Sequence, residues 1–238
     1  MSIQNTLYKK QIAINDHIHV VIPTVGDVIE NEDNYYTLVS TITAYPVDMM
    51  VQLDDAGIDF STIDAWELFI LMFRGIQAQD TSLVFGDLDL SKFRLAFNEQ
   101  NGEAVLLDTE NEITIDRLIH EQIANALRHI HHLKPDIRKP ANEEAKKFMI
   151  ERARAKLKRR RNRVEDSQLE TLIIAMVNTE QYKYDFETTK SLTIYQFNES
   201  VRQIINKVDY EHRMQGVYAG TIDAKDLSQD DLNWIKHK

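Results

Sequence analysis

Thirteen of the chain's 28 Lys and Arg residues fall between Lys134 and Arg163, alongside only four acids, Asp136, Glu143, Glu144 and Glu151. That stretch carries a net +9. The rest of the chain, with 15 cations against 34 acids, carries −19. Glu143 to Arg163 reads as a helix about 31 Å long. Its cations are Lys146, Lys147, Arg152, Arg154, Lys156, Lys158, Arg159, Arg160, Arg161 and Arg163. Like charges recur four residues apart at Arg152–Lys156, Arg154–Lys158, Lys156–Arg160 and Arg159–Arg163. Each such pair destabilises an isolated helix by roughly 0.2–0.5 kcal/mol. Glu143–Lys147 has the opposite sign. The apolar stripe is thin: Ala145, Met149, Ala153 and Leu157. So narrow a stripe does not offset the entropy of ordering a helix. If this helix is ordered, acidic groups should neutralise it.

The remaining pattern predicts an α+β chain, mainly helical. Gln11–Ile22 reads as two strands turning at Asn15-Asp16. Val25–Gln79 reads as a helical cluster. Tyr35, Leu38, Val39 and Ile42 recur at helical spacing. Pro46 opens a helix that Gly57 stops, and Asp64 with Glu67 forms an N-terminal capping pair. Phe93, Leu95 and Phe97 alternate, Gln100-Asn101-Gly102 turns, and Ala104–Leu107 returns as a hairpin, with Ile113–Ile115 as a short edge. Asp116–Leu133 is an amphipathic helix with its stripe on Leu118, Ile119, Ile123, Ala126, Leu127 and Ile130. Pro135 and Pro140 bracket a break. Gln168–Asn178 reads as a short apolar helix. Leu192–Val208 and Tyr210–Tyr218 read as two helices parted near Asp209. Three regions follow: an α+β body over 1–133, with strands near 11–22 and a hairpin near 92–107; a linker and basic helix over 134–165; and a helical part over 166–238.

The chain offers little for catalysis. With no cysteine it has no disulfide, thiol nucleophile or Cys-based metal site. It contains no nucleophile elbow and no phosphate-cradling glycine loop. His120-Glu121 lacks the second histidine of a helical zinc motif. His129, His131 and His132 read as groups favoured at a helix C-terminus by the macrodipole. Asp87 and Asp89 read as turn residues, and Asp54-Asp55 as solvated surface. No metal, cofactor or catalytic residue is expected. The run around Trp66, Phe69 and Phe73 is apolar nearly all round. With Met49, Met50 and Met72 it is either core or an apolar partner surface; Met-lined surfaces re-pack readily. No apolar run is long enough for a membrane span, and the N-terminus lacks a secretion block. A soluble cytoplasmic protein is expected.

The runs IPTVGDVIENEDNYYTLVS, DMMVQLDDAGIDFSTIDAWELF, LVFGDLDLSKF, YKYDFETTKSLTIYQFNESVRQI and GVYAGTIDAK resemble proteins encoded among the tail genes of tailed bacteriophages of Gram-positive bacteria. These are similar to tail assembly chaperones, and the resemblance covers most of the chain. It implies a non-enzymatic protein of the host cytoplasm. Such a protein binds the helical tape-measure protein, keeps it soluble and helps to recruit tail-tube subunits. The resemblance implies no cofactor and no active-site residue. The Arg/Lys run is more pronounced than in that family. It leaves open a virion structural role (tail or connector), in which the protein resides in the virion, and a nucleic-acid-binding role for the basic helix. Partner-binding candidates are therefore the ten cations of the basic helix and, as the apolar alternative, Met49, Met50, Trp66, Phe69, Met72 and Phe73. A homo-oligomer stands as a further alternative.

Overall fold

The computed structural model describes residues 5–98, 102–161 and 167–235, without the side chains of Arg160, Arg161 and Ala224. It is 57% helix and 9% strand, an α+β fold dominated by helices. Strands β1 (Gln11–Ala13) and β2 (His19–Val21) pair antiparallel, with Ile12 opposite Val20. The turn between them is built by Asn15, whose side-chain oxygen accepts from the Ile18 amide. Helices α1 (Val25–Glu30), α2 (Glu32–Thr43), α3 (Met50–Asp55) and α4 (Ala65–Ile76) follow. Pro46 begins a 3-10 turn before α3, and Gly57, at φ 71°, ends the excursion after it. That left-handed conformation is open to glycine at little cost. Asp64 caps α4 by accepting from the Trp66 and Glu67 amides, and Glu67 accepts back from the Asp64 amide.

After the single turn α5 (Ser82–Phe85), strands β3 (Arg94–Phe97), β4 (Ala104–Asp108) and β5 (Ile113–Ile115) form a second antiparallel sheet in the order β3-β4-β5. The Asn101 turn lies outside the described residues. Of the alternating set, Phe93 is buried, whereas Leu95 and Phe97 are exposed. Their cross-strand partners are Leu106 and Ala104, and β3 overhangs the core.

Helix α6 (Arg117–His131) is capped by Asp116, which accepts from the Ile119 amide at 2.8 Å. Its buried face includes Ile123, Ala126, Leu127 and Ile130. Leu118 is 59% exposed and leaves the expected stripe, whereas His120 and Arg128 join it. Arg128 is held by the Thr43 carbonyl, which accepts from Nη2 at 2.7 Å, and by the Tyr45 ring 4.7 Å away. The basic segment forms α7 (Glu143–Arg161), followed by α8 (Gln168–Val177), α9 (Phe186–Ser191) and α10 (Ile194–Tyr218).

Helix α10 is one helix of 25 residues, not two. Asp209 is exposed, so its carboxylate stays in water, and neither Pro nor Gly interrupts the backbone near it. The Lys207–Glu211 ion pair, four residues apart, straddles the expected break.

Two clusters form the interior. The larger draws on Tyr35, Leu38 and Ile42 of α2, Phe69 and Phe73 of α4, Leu127 and Ile130 of α6, and Leu169, Ile173, Ile194 and Phe197 from the C-terminal segment. Residues 169–204 thus share the core of the first 133. The Val25 amide donates to the Leu192 carbonyl, and the Ile194 amide to the Pro23 carbonyl, both at 2.8 Å. The smaller cluster holds Ala44, Val47, Leu53, Phe60 and Leu68. The accessible surface is 15477 Å², against roughly 11,000 Å² for a compact globule of this mass. The excess marks a body with projecting parts.

Candidate interaction surface

Trp66, Phe69 and Phe73 are buried in the larger cluster. They are core residues, and the expectation of an apolar partner surface there is corrected. The indole of Trp66 donates to the Ala104 carbonyl, and its ring stacks on Phe69 at 5.7 Å. Helix α4 packs against α2 and α6, with Trp66 reaching the second sheet, and leaves Leu71 exposed on its outer side. Met49, Met50 and Met72 are half-buried against the smaller cluster, together with Met149 and Ile150 of α7.

His129 and His131 lie in the last turn of α6, as expected, and are half-buried, whereas His120 is buried. Burial pushes His120 and His131 down to about 4. His120 Nε2 donates to the Ile42 carbonyl, and its ring stacks on Phe69 at 4.3 Å. His131 shares a hydrogen bond with the Tyr35 hydroxyl. His129 bonds Thr6 and stacks on Tyr195. Asp89 accepts from the Ser91 amide and caps a 3-10 turn, whereas Asp87 is exposed. Among the described residues no three His, Asp or Glu side chains converge to hold a metal ion.

Asn142 accepts from the Ala145 amide at the start of helix α7. Glu143 and Glu144 occupy the first turn. That placement favours the helix dipole and offsets part of the like-charge repulsion. Two cations then tie the helix to the body. Lys146 Nζ lies 2.8 Å from Asp59 and 2.7 Å from Glu143. Arg154 bridges Asp54 and Asp55, both at 2.6 Å. The Lys146 ammonium beside Asp59, with the Ser61 hydroxyl and amide, holds the Asp59 carboxyl down at about 2. Asp55 and Asp54 push Arg154 up. The Asp54-Asp55 pair is therefore a seat for Arg154 and not merely solvated surface. Nothing in the sequence singled out Asp59. Its local signal is the turn Asp59-x-Ser61, in which the carboxylate accepts from the Ser61 amide and hydroxyl.

The opposite side of α7 faces solvent and carries Glu144 and Glu151 beside its cations. Lys147, Arg152, Lys156, Lys158 and Arg159 are exposed, and none forms an ion pair among the described residues. They extend along about 18 Å of helix. Phe148 shares this side and is 63% exposed; Arg152 is its neighbour one turn on. The Arg160 and Arg161 backbone continues the helix, and Arg163 lies outside the described residues. Hence the chain neutralises the inner cations itself and leaves five described outer ones to solvent. Among the described residues no helix is long and apolar enough to cross a membrane.

Residues 158–238 match a family model described as the YomV second domain, from a Bacillus phage-type protein family. The match begins in the last turn of α7 and runs through α8, α9 and α10. It places about a third of the chain with phage-type proteins. No curated protein and no solved structure matches the chain.

Proposed function

We propose that this chain is a bacteriophage interaction protein of tail morphogenesis. It acts as a tail assembly chaperone, binding the tape-measure protein or tail-tube subunits in the host cytoplasm without a catalytic step or cofactor. The observation that carries the reading is the outer face of α7. Five cations stand exposed on an ordered helix and outnumber the two acids of the same side, Glu144 and Glu151, and none of the five forms an ion pair among the described residues. An exposed like-charged face on a folded element is a surface for an acidic partner. The phage-type match over 158–238 and the resemblance of the flanking runs to tail assembly chaperones support the same setting.

Co-expression with the tape-measure protein tests it. The native chain should hold the tape measure in the soluble fraction and co-purify with it. The variant K147Q/R152Q/K156Q/K158Q/R159Q keeps good helix formers at every position and should lose both effects. Unchanged tape-measure solubility together with no co-purification refutes the reading. Mass spectrometry of purified particles separates a chaperone, absent from finished virions, from a tail or connector subunit.

The same face also favours a second reading. Five cations and an exposed Phe148 suit a phosphate backbone with one stacking contact. A salt titration of DNA and RNA binding decides it, because phosphate contacts give a steep salt slope that the five-residue variant flattens. No binding at low salt eliminates it.

A further inference from the structure

The smaller cluster has the form of a helix seat, and α7 occupies it. Leu53, Phe60 and Leu68 are among its buried members, and Met49, Met50 and Met72 line it half-buried. Met149 and Ile150 of α7 pack onto it. Lys146, three residues before that apolar pair, reaches Asp59, and Arg154, four residues after it, reaches Asp54 and Asp55. The seat therefore reads an amphipathic helix at three points: a cation, an apolar pair and a second cation.

Several features make the occupant exchangeable. Among the described residues of α7 none is fully buried, so little apolar area is committed. The Arg154 pairs lie at the surface, with side-chain exposures of 41% for Arg154, 46% for Asp54 and 59% for Asp55. Exposed pairs of this kind are weak and are screened by salt. The helix opposes its own formation through like charges four apart. It is joined to α6 by a stretch without helix or strand over 133–142 that carries Pro135 and Pro140. Methionine side chains are unbranched and re-pack around different helices.

We propose that this Met-lined cluster, rimmed by Asp54, Asp55 and Asp59, is a binding site for a cationic amphipathic helix. Helix α7 is its resident occupant, and a partner helix with the pattern cation, two residues, apolar pair, three residues, cation displaces it. The site is distinct from the outer face of α7 and does not depend on the tail-assembly reading.

The test uses the full-length chain and a fluorescent peptide with the sequence of residues 143–161. In the variant K146E/R154E the resident helix is repelled from its three aspartates. The peptide should bind this variant at least tenfold tighter than the native chain. Adding D54N/D55N/D59N should abolish that gain. Equal binding to the native chain and K146E/R154E, no binding to either, or equal binding by a peptide of scrambled order overturns the proposal. Hydrogen exchange on the native chain gives a readout independent of the variant's folding. The α7 amides should exchange at least tenfold faster than those of α6, and equal protection overturns the proposal. Failure of the peptide to bind leaves the tape-measure co-expression result untouched, so the two readings fail separately.

Discussion

The Tyr35 hydroxyl and His131 Nε2 are joined by a 2.9 Å hydrogen bond inside the protein, with their rings 5.5 Å apart. Burial holds His131 at about 4, with the neighbouring His132 adding to the effect. His120, buried beside Phe69, sits at about 4 for the same main reason. Both folded values lie below the unfolded value near 6.5. As pH falls, the unfolded chain takes up these protons first. Stability is therefore complete above about pH 6.5 and declines as pH falls towards 4, by about 3 kcal/mol per histidine. Urea midpoints between pH 7 and 4 check this, and the variant H131F should flatten the decline. A flat profile in the native chain would contradict the assignment.

Asp59 behaves differently, because its folded value is depressed to about 2, first by Lys146. Its contribution is present above the unfolded value near 4 and is lost as pH falls through 2. D59N should loosen the seat of α7 at neutral pH. The expected sign is faster cleavage of the 133–142 stretch by trypsin with little change in the global melting temperature. Unchanged cleavage would mean that this ion pair does not hold the helix.

F69A tests whether α4 is core or partner surface. Phe69 is buried between Trp66, Phe73 and His120, so truncation should cost about 3–5 kcal/mol in a denaturant titration. A cost near zero would return it to the surface.

D209P tests the continuity of α10. Proline inside one continuous helix removes a hydrogen bond and clashes with the preceding turn, at about 3 kcal/mol. Two helices parted at that point would tolerate it. The measurement is the far-UV helical signal, which should drop in the variant.

The local pattern was informative wherever one face of an element meets one environment. The Asp64/Glu67 cap, the Asp116–Leu133 helix, the two sheets and the start of α7 all follow from short-range chemistry. A capping carboxylate acts within three residues, and an apolar stripe repeats within two turns. Prediction failed where a distant neighbour decided the outcome. Arg128 and His120, absent from the apolar stripe read in the sequence, are interior, and the carbonyls of Thr43 and Ile42 accept from them. Leu95 and Phe97 alternate as core residues do, yet lie on an overhang that nothing described covers. At α10 a charged residue was taken for a break, although nothing in the backbone required one.

The sequence by itself determined that Lys134–Arg163 is strongly cationic, that a helix starts at Glu143, and that an ordered helix there needs acids. Periodicity and charge are properties of the chain alone. Only the tertiary structure decided which cations meet those acids. Lys146 reaches Asp59, 87 positions away in the chain, and Arg154 reaches Asp54, 100 positions away. Ion pairing depends on distance in space, and the packing of α3 and α7 sets that distance. The same packing turned one side of the helix inward and left Lys147, Arg152, Lys156, Lys158 and Arg159 facing solvent.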